Sequence, residues 1–367
     1  MIYLDNAATT LKKPASVKEA VLHAMDTFGN ASRGAHAPAL DALRMLMEAR
    51  IAIASLFGLP DPMRVVFTSN ATAALNIAVL GINGHIVTTA AEHNSVLRPI
   101  YKRGNYTIVP CDNLGCISIE AISSAIQPDT GAVVLAHASN VTGNVLDIQA
   151  IGELCAARGV HFIVDAAQSA GLLPIDMKNI SALCFTGHKS LYGPQGTGGL
   201  CLGADYLPIP LYVGGSGHHS FDQKHPQELP DALEAGTQNA HGIAGLLAGV
   251  QYIQSIGLST IHNQADTLGR LFADSLAKTP GVTLYGDLAA PLRTPIVSLN
   301  IKGYDSAQAA CLLFEKFGIA VRAGAHCAPL MHDSLSLSGS VRFSFSHFNT
   351  REETQFAVDA VRALAKQ

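Results

Sequence analysis

Between about residues 60 and 205, short apolar runs rich in β-branched residues alternate with stretches whose apolar positions recur at helical spacing. This alternation constrains the fold more than any other feature. The runs Arg64–Phe67, Ile86–Thr89, Ala132–Ala136, His161–Val164 and Ala182–Phe185 read as buried strands, and Thr72–Val79, Ser118–Ile126 and Ile148–Arg158 as the crossover helices between them. Such units build a mostly parallel sheet covered on both faces. Its ligands bind beyond the carboxyl ends of the strands.

The expected fold is therefore α/β, with a large mixed, mostly parallel seven-stranded sheet. At 367 residues the chain exceeds what one core fills, so a second, smaller α+β domain is expected. We divide the chain into a large domain at 15–255 and a small one formed by 1–14 and 256–367. After a helical run at His241–Ile256, the alternation in Val341-Arg342-Phe343-Ser344-Phe345-Ser346 predicts a half-buried antiparallel strand in the small domain. Tyr212 to Gly236, with Gly214-Gly215-Ser216-Gly217-His218-His219, reads as a long loop that shapes a site or a subunit contact.

Charged residues make up only 14% of the chain against 48% hydrophobic, which fits a deeply buried sheet and a surface partly covered by a partner subunit. The net charge of −4, with scattered Lys and Arg, offers no stripe for a phosphate backbone, so nucleic acid is not an expected partner. No stretch of eighteen apolar residues and no signal-like start is present, so a soluble, cytoplasmic protein is expected. Seven cysteines without a C-x-x-C pair argue against a disulfide frame or a zinc site.

The chemistry-bearing residues fall at the predicted strand ends. Thr186-Gly187-His188-Lys189-Ser190 follows one strand, and a lysine there forms an imine if its surroundings lower its pKa. A solvated loop lysine is the equal alternative on this fragment alone. Asp165, ending another strand, suits a cationic ring nitrogen or simply caps a helix. Asn70-Ala71-Thr72 opens a helix whose N–H groups and Thr72 hydroxyl can face an anion, and His93 in Ala91-Glu92-His93-Asn94-Ser95 can lie over an aromatic cofactor. Cys327 sits in Arg322-Ala323-Gly324-Ala325-His326-Cys327, where a nearby cation and His326 would favour the thiolate. Arg342 faces either water or the cleft, and its guanidinium suits a carboxylate.

In this order, Tyr3-Leu4-Asp5-Asn6-Ala7-Ala8-Thr9-Thr10, Asn70-Ala71-Thr72, Glu92-His93, Ser139-Asn140, Asp165-Ala166-Ala167-Gln168, Thr186-Gly187-His188-Lys189 and Arg322 to Cys327 resemble class V aminotransferase-fold enzymes. The resemblance is to the cysteine desulfurase and selenocysteine lyase branch, in its compact cysteine-loop group. It spans nearly the whole chain and implies a fold-type I homodimer carrying pyridoxal 5'-phosphate as a Schiff base on Lys189. Asp165 would pair with the ring nitrogen, and His93 would stack on the ring and assist proton transfers. Asn140 and Gln168 would contact the phenolic oxygen. Ala71, Thr72, Thr186 and His188 would bind the phosphate, with Thr237 reaching that of the neighbouring subunit. Arg342 would hold the substrate carboxylate, with Asn140 and Arg322 beside it, and Cys327 would take the sulfur.

The implied reaction converts L-cysteine to L-alanine with a persulfide on Cys327, or acts on L-selenocysteine, and hands sulfur to an acceptor protein. The alternatives are a class V aminotransferase acting by amino-group exchange and a catalytically silent cofactor-binding protein. Two departures stand out. Ser69-Asn70-Ala71-Thr72 stands where relatives commonly carry Gly-Thr-Thr, so an amide or Asn70 is expected to replace one hydroxyl. The stretch after Cys327 is also one residue short.

Overall fold

The computed structural model describes residues 1–31, 34–217 and 221–366. His218 and His219 of the glycine-rich loop lie outside the described residues. The strands are β1 (Ile2–Tyr3), β2 (Val65–Thr68), β3 (His85–Thr89), β4 (Tyr106–Val109), β5 (Thr130–Ala136), β6 (His161–Asp165), β7 (Ala182–Thr186), β8 (Gly198–Leu202), β9 (Val282–Tyr285), β10 (Ile296–Ile301), β11 (Ile319–Ala320), β12 (Arg322–Gly324) and β13 (Ser340–Ser344). The helices are α1 (Ala15–Thr27), α2 (Ala37–Leu56), α3 (Ala71–Leu80), α4 (Asn94–Arg103), α5 (Ile119–Ala125), α6 (Ile148–Arg158), α7 (Ala240–Ile256), α8 (Leu258–Leu276), α9 (Ser306–Phe317), α10 (Pro329–Ser334) and α11 (Arg351–Ala365).

Seven strands form the main sheet in the order β2-β8-β7-β6-β5-β3-β4. β8 alone runs antiparallel to its neighbours, and the rest point the same way. β5, β6 and β7 are buried almost throughout, as expected of strands covered on both faces. One face packs against α2, α6 and α7 through residues such as Ile53, Phe57, Ile151 and Leu246, and the other against α3 and α4. The carboxyl ends of β3, β5, β6 and β7 therefore open on a common edge.

The five predicted strands and three crossover helices are all present, with shifted ends. Arg64 belongs to a single helical turn at Pro62–Arg64 and β2 begins at Val65. β8 escapes a reading by β-branched content because it opens with Gly198-Gly199. A Cβ on Gly199 would stand 2.4 Å from the Val66 carbonyl oxygen and 2.7 Å from the Phe185 ring, so glycine lets the strand fit there. α4 escapes for the opposite reason, since Pro99 lies inside it.

A second sheet, β12-β13-β10-β9, is antiparallel throughout, and β1 pairs with β11. Leu4, Phe272, Val297, Leu313, Phe343 and Val361 share the core beneath it, so the first residues pack with the last third of the chain. The strand at 341–346 needs correction: β13 is buried on both faces, not half-buried. Its polar side, Arg342 and Ser344, packs against Asp5, Asn140 and Ala7 rather than water. Among the described residues no helix is long and apolar enough to cross a membrane.

Candidate active site

Lys189 lies in the turn after β7. Its backbone is gripped by the N-terminal segment, since Thr10 Oγ1 donates to the Lys189 carbonyl at 2.9 Å and Lys13 Nζ to that of His188 at 2.7 Å. Gly187 makes the turn possible, because a Cβ there would stand 2.1 Å from Thr197 Oγ1. Desolvation lowers the Lys189 pKa to about 8, helped by the charges of Arg342 and Arg322 and opposed by Asp165. About a tenth of the Lys189 amine is then in the neutral, nucleophilic form at pH 7, far more than for an ordinary lysine.

Asp165 ends β6, and its Oδ1 accepts the Ala167 amide at 2.9 Å, so the carboxylate caps the turn that follows and faces the same pocket as Lys189. Burial raises its pKa, while the Ala167 amide and Lys189 oppose the rise. Glu92 sits deeper, fully buried at the end of β3, with Oε1 accepting from Thr89 Oγ1 at 2.6 Å and Oε2 without a partner. Desolvation pushes its carboxyl up to about 8, so it stays protonated at neutral pH.

His93 caps α4. Its Nδ1 accepts the Ser95 amide at 3.0 Å, so the neutral ring carries its proton on Nε2. Burial and nearby cations, Lys189 first, lower its pKa to about 4. At the start of α3, the Asn70 carboxamide oxygen accepts from the Ala73 amide at 2.9 Å and Thr72 Oγ1 lies 2.8 Å from Ser95 Oγ. Asn70 thus spends its oxygen on the helix cap and directs its donor, Nδ2, to Ser69 Oγ at 3.2 Å. Thr186 Oγ1 and His188 Nδ1 are buried polar atoms without partners on the pocket wall.

Cys327 lines the same pocket, exposed, with Arg322 Nη2 3.8 Å from its sulfur. Its loop is strained and pinned: His326 and Cys327 have φ of 50° and 58°, and Asn140 Nδ2 donates to the His326 carbonyl at 2.7 Å. The Asn94 amide donates to the Cys327 carbonyl at 2.7 Å. The expectation that His326 supports the thiolate is corrected, because its ring is buried and turned to Ser340, Nε2 being 3.0 Å from the Ser340 carbonyl. Burial and Arg342 lower its pKa to about 3, so it carries no charge for Cys327. Arg322 is the cation that remains.

One pocket gathers Ala71, Thr72, His93, Asn140, Asp165, Gln168, Thr186, His188, Lys189, Arg322, Cys327 and Arg342. Of the sequence candidates only Thr237 lies elsewhere: it is exposed and away from the pocket of its own chain. Gln168 Nε2 donates to the Ala7 carbonyl at 3.1 Å. Arg342 is almost wholly buried, with Nη2 donating to Asp5 Oδ1 at 2.9 Å, Nη1 to the Asn140 carbonyl at 3.1 Å, and Nε unpaired. Asp5 and Ser95 had no assigned part in the sequence reading. Asp5 meets its partner 337 residues away, and a lone serine in a helix start carries no local signal.

The aminotransferase class-V profile matches residues 2–356. The chain belongs to the aminotransferase class-V family. Within that family it is 32% identical to a probable cysteine desulfurase of Methanothermobacter thermautotrophicus, over 99% of this chain and 94% of that protein. The structure of a cysteine desulfurase from Thermococcus onnurineus superposes with a TM-score of 0.93 at 31% identity, covering all of this chain and 94% of that one. The cysteine desulfurase CsdA of Escherichia coli gives 0.88 at 29% identity, covering 99% and 94%.

Class-V enzymes of this kind depend on pyridoxal phosphate. The pocket fits that group on its own chemistry. An amine, a carboxylate able to face a cationic ring nitrogen, and an anion-binding end with a helix start and two unpartnered buried polar atoms meet in one cavity.

Proposed function

We propose that this chain is a cysteine desulfurase that converts L-cysteine to L-alanine and retains the sulfur as a persulfide on Cys327. The observation that carries the reading is that Lys189, Cys327 and Arg342 line one pocket. Lys189 would hold the cofactor, Asp165 its ring nitrogen, and Asn140 and Gln168 its phenolic oxygen. Ala71, Thr72, Thr186 and His188 would hold the phosphate, joined by Thr237 from the neighbouring subunit of a homodimer.

Bound there, pyridoxal phosphate supplies an electron sink beside the substrate Cα. The protein does the rest. Arg342, with Arg322 and Asn140 beside it, takes the substrate carboxylate. Lys189 would move a proton at Cα, and His93 would donate from Nε2. The Cys327 thiolate attacks the substrate sulfur, an S–S bond forms as the C–S bond breaks, and the carbon keeps the electron pair and takes a proton on its way to alanine.

The proposal extends to L-selenocysteine, whose C–Se bond would cleave without a sulfur-accepting thiol. Sulfur held on the exposed Cys327 would be open to an acceptor protein, and a cytoplasmic location belongs to the same proposal. The division into 15–255 and 1–14 with 256–367 belongs to the same proposal. Cys327→Ala is the test: sulfide release from L-cysteine with reductant should vanish while the visible cofactor absorbance stays. Unchanged turnover would remove the nucleophile, and amino-group exchange with a keto acid would favour the aminotransferase alternative.

A further inference from the structure

The phosphate end of the pocket lacks one expected hydroxyl, and three contacts show what stands near the gap. Ala71 has only a methyl group, and Asn70 accepts the Ala73 amide with its oxygen and gives its donor Nδ2 to Ser69 Oγ at 3.2 Å. Ser95, on a different helix, places its Oγ 2.8 Å from Thr72 Oγ1 and 3.0 Å from His93 Nδ1, and it lines the same pocket. Thr186 Oγ1 and His188 Nδ1, both buried without partners, give independent evidence that this wall is built to meet a ligand.

The proton directions follow from which groups can only accept. His93 Nδ1 already accepts the Ser95 amide, so it bears no proton and offers only a lone pair. With no anion present, Thr72 can donate to Ser95 and Ser95 to His93 Nδ1. A phosphate oxygen at the start of α3 only accepts, so it draws the Thr72 proton. The lone pairs of Thr72 then face Ser95, whose own proton turns to Thr72. The chain runs Ser95 to Thr72 to phosphate, and each donation polarises the next.

We propose that Ser95 is a positioning residue of the phosphate site, standing in through Thr72 for the hydroxyl that Ala71 lacks. This deepens the reading of the pocket as a pyridoxal phosphate site and rests on it. The full chain, freed of cofactor by dialysis, is titrated with pyridoxal phosphate and with pyridoxal, which lacks the phosphate, following the visible absorbance of the group bound at Lys189. Ser95→Ala should weaken pyridoxal phosphate binding about 3- to 10-fold, the worth of one hydrogen bond, and leave pyridoxal unchanged. Ser95→Thr should restore it, and in a Thr72→Ala background Ser95→Ala should cost nothing further.

Equal weakening of both ligands would reduce Ser95 to a structural role and overturn the proposal, as would no effect on either. A full additional loss in the Thr72→Ala background would overturn the relay through Thr72. If the unaltered chain takes up neither ligand, the cofactor reading itself fails. That result is distinguishable from uptake of pyridoxal phosphate with a silent Ser95→Ala.

Discussion

Arg342 Nη2 donates to Asp5 Oδ1 at 2.9 Å, joining β13, an inner strand of the small sheet, to the segment that follows β1. The guanidinium is almost wholly buried, while the Asp5 side chain keeps about a fifth of its surface exposed at 21%. Asp5 and the Asn140 carbonyl therefore fix the guanidinium through its two Nη groups, leaving Nε without a partner. Asp5→Asn should raise KM for L-cysteine several-fold with a smaller change in kcat, because the arginine remains but is less firmly held. It should also cost stability, on the order of 1–3 kcal/mol, less than for a fully buried pair. Steady-state kinetics and thermal unfolding of the variant check both parts, and an unchanged KM would refute the role of Asp5.

Loading of the cofactor should titrate with Lys189. With the folded pKa lowered to about 8, the reactive neutral amine accumulates from pH 7 to 9. In the cofactor-free protein the rate of absorbance gain on adding pyridoxal phosphate should rise with pH to a midpoint near this value. A midpoint near that of a free lysine would contradict the desolvation argument. The stability sign is opposite to that of a paired lysine. The unfolded chain holds the proton more tightly between the two pKa values, so stability rises with pH across that window.

Glu92 titrates the other way. Its folded pKa of about 8 lies above the ordinary carboxyl value, so the folded chain binds the extra proton between them and stability falls as pH rises. Glu92→Gln, which keeps the shape of the protonated acid, should raise the melting temperature more at pH 8 than at pH 5. An equal gain at both would show that Glu92 is ionised in the fold.

The cysteine loop rests on a proton chain of fixed direction. His326 Nε2 donates to the Ser340 carbonyl, Ser340 Oγ lies 3.2 Å from His332 Nε2, and His332 Nδ1 donates to the Ala328 carbonyl at 3.0 Å. Ser340→Ala leaves His332 Nε2 buried without its donor, which should cost about 1–3 kcal/mol. With Asn140 and Asn94 still holding the His326 and Cys327 carbonyls, desulfuration should fall while cofactor affinity does not. Loss of cofactor in parallel would place the network under the whole pocket instead.

Much of the large sheet was legible in the sequence, because a strand covered on both faces must be apolar along its length and a crossover helix must show one apolar stripe. β5, β6, β7 and α6 are visible in this way, and with them the strand ends that carry Asp165 and Lys189. β8 and α4 were not, since Gly198-Gly199 and Pro99 answer to close backbone approach and tertiary packing rather than local preference.

The amino-acid sequence by itself determined the family, the parallel α/β plan and nearly every residue of the pocket, because those follow from periodicity and from ordered motifs. Only the tertiary structure decided what each polar group is free to do. It turned the His326 ring toward Ser340 and away from the Cys327 sulfur, left Arg322 as the nearby cation, spent the Asn70 oxygen on a helix cap and brought Ser95 beside Thr72. The physical reason is that a side chain's protonation and hydrogen-bond direction are set by partners distant along the chain and by burial, and neither is written in local spacing.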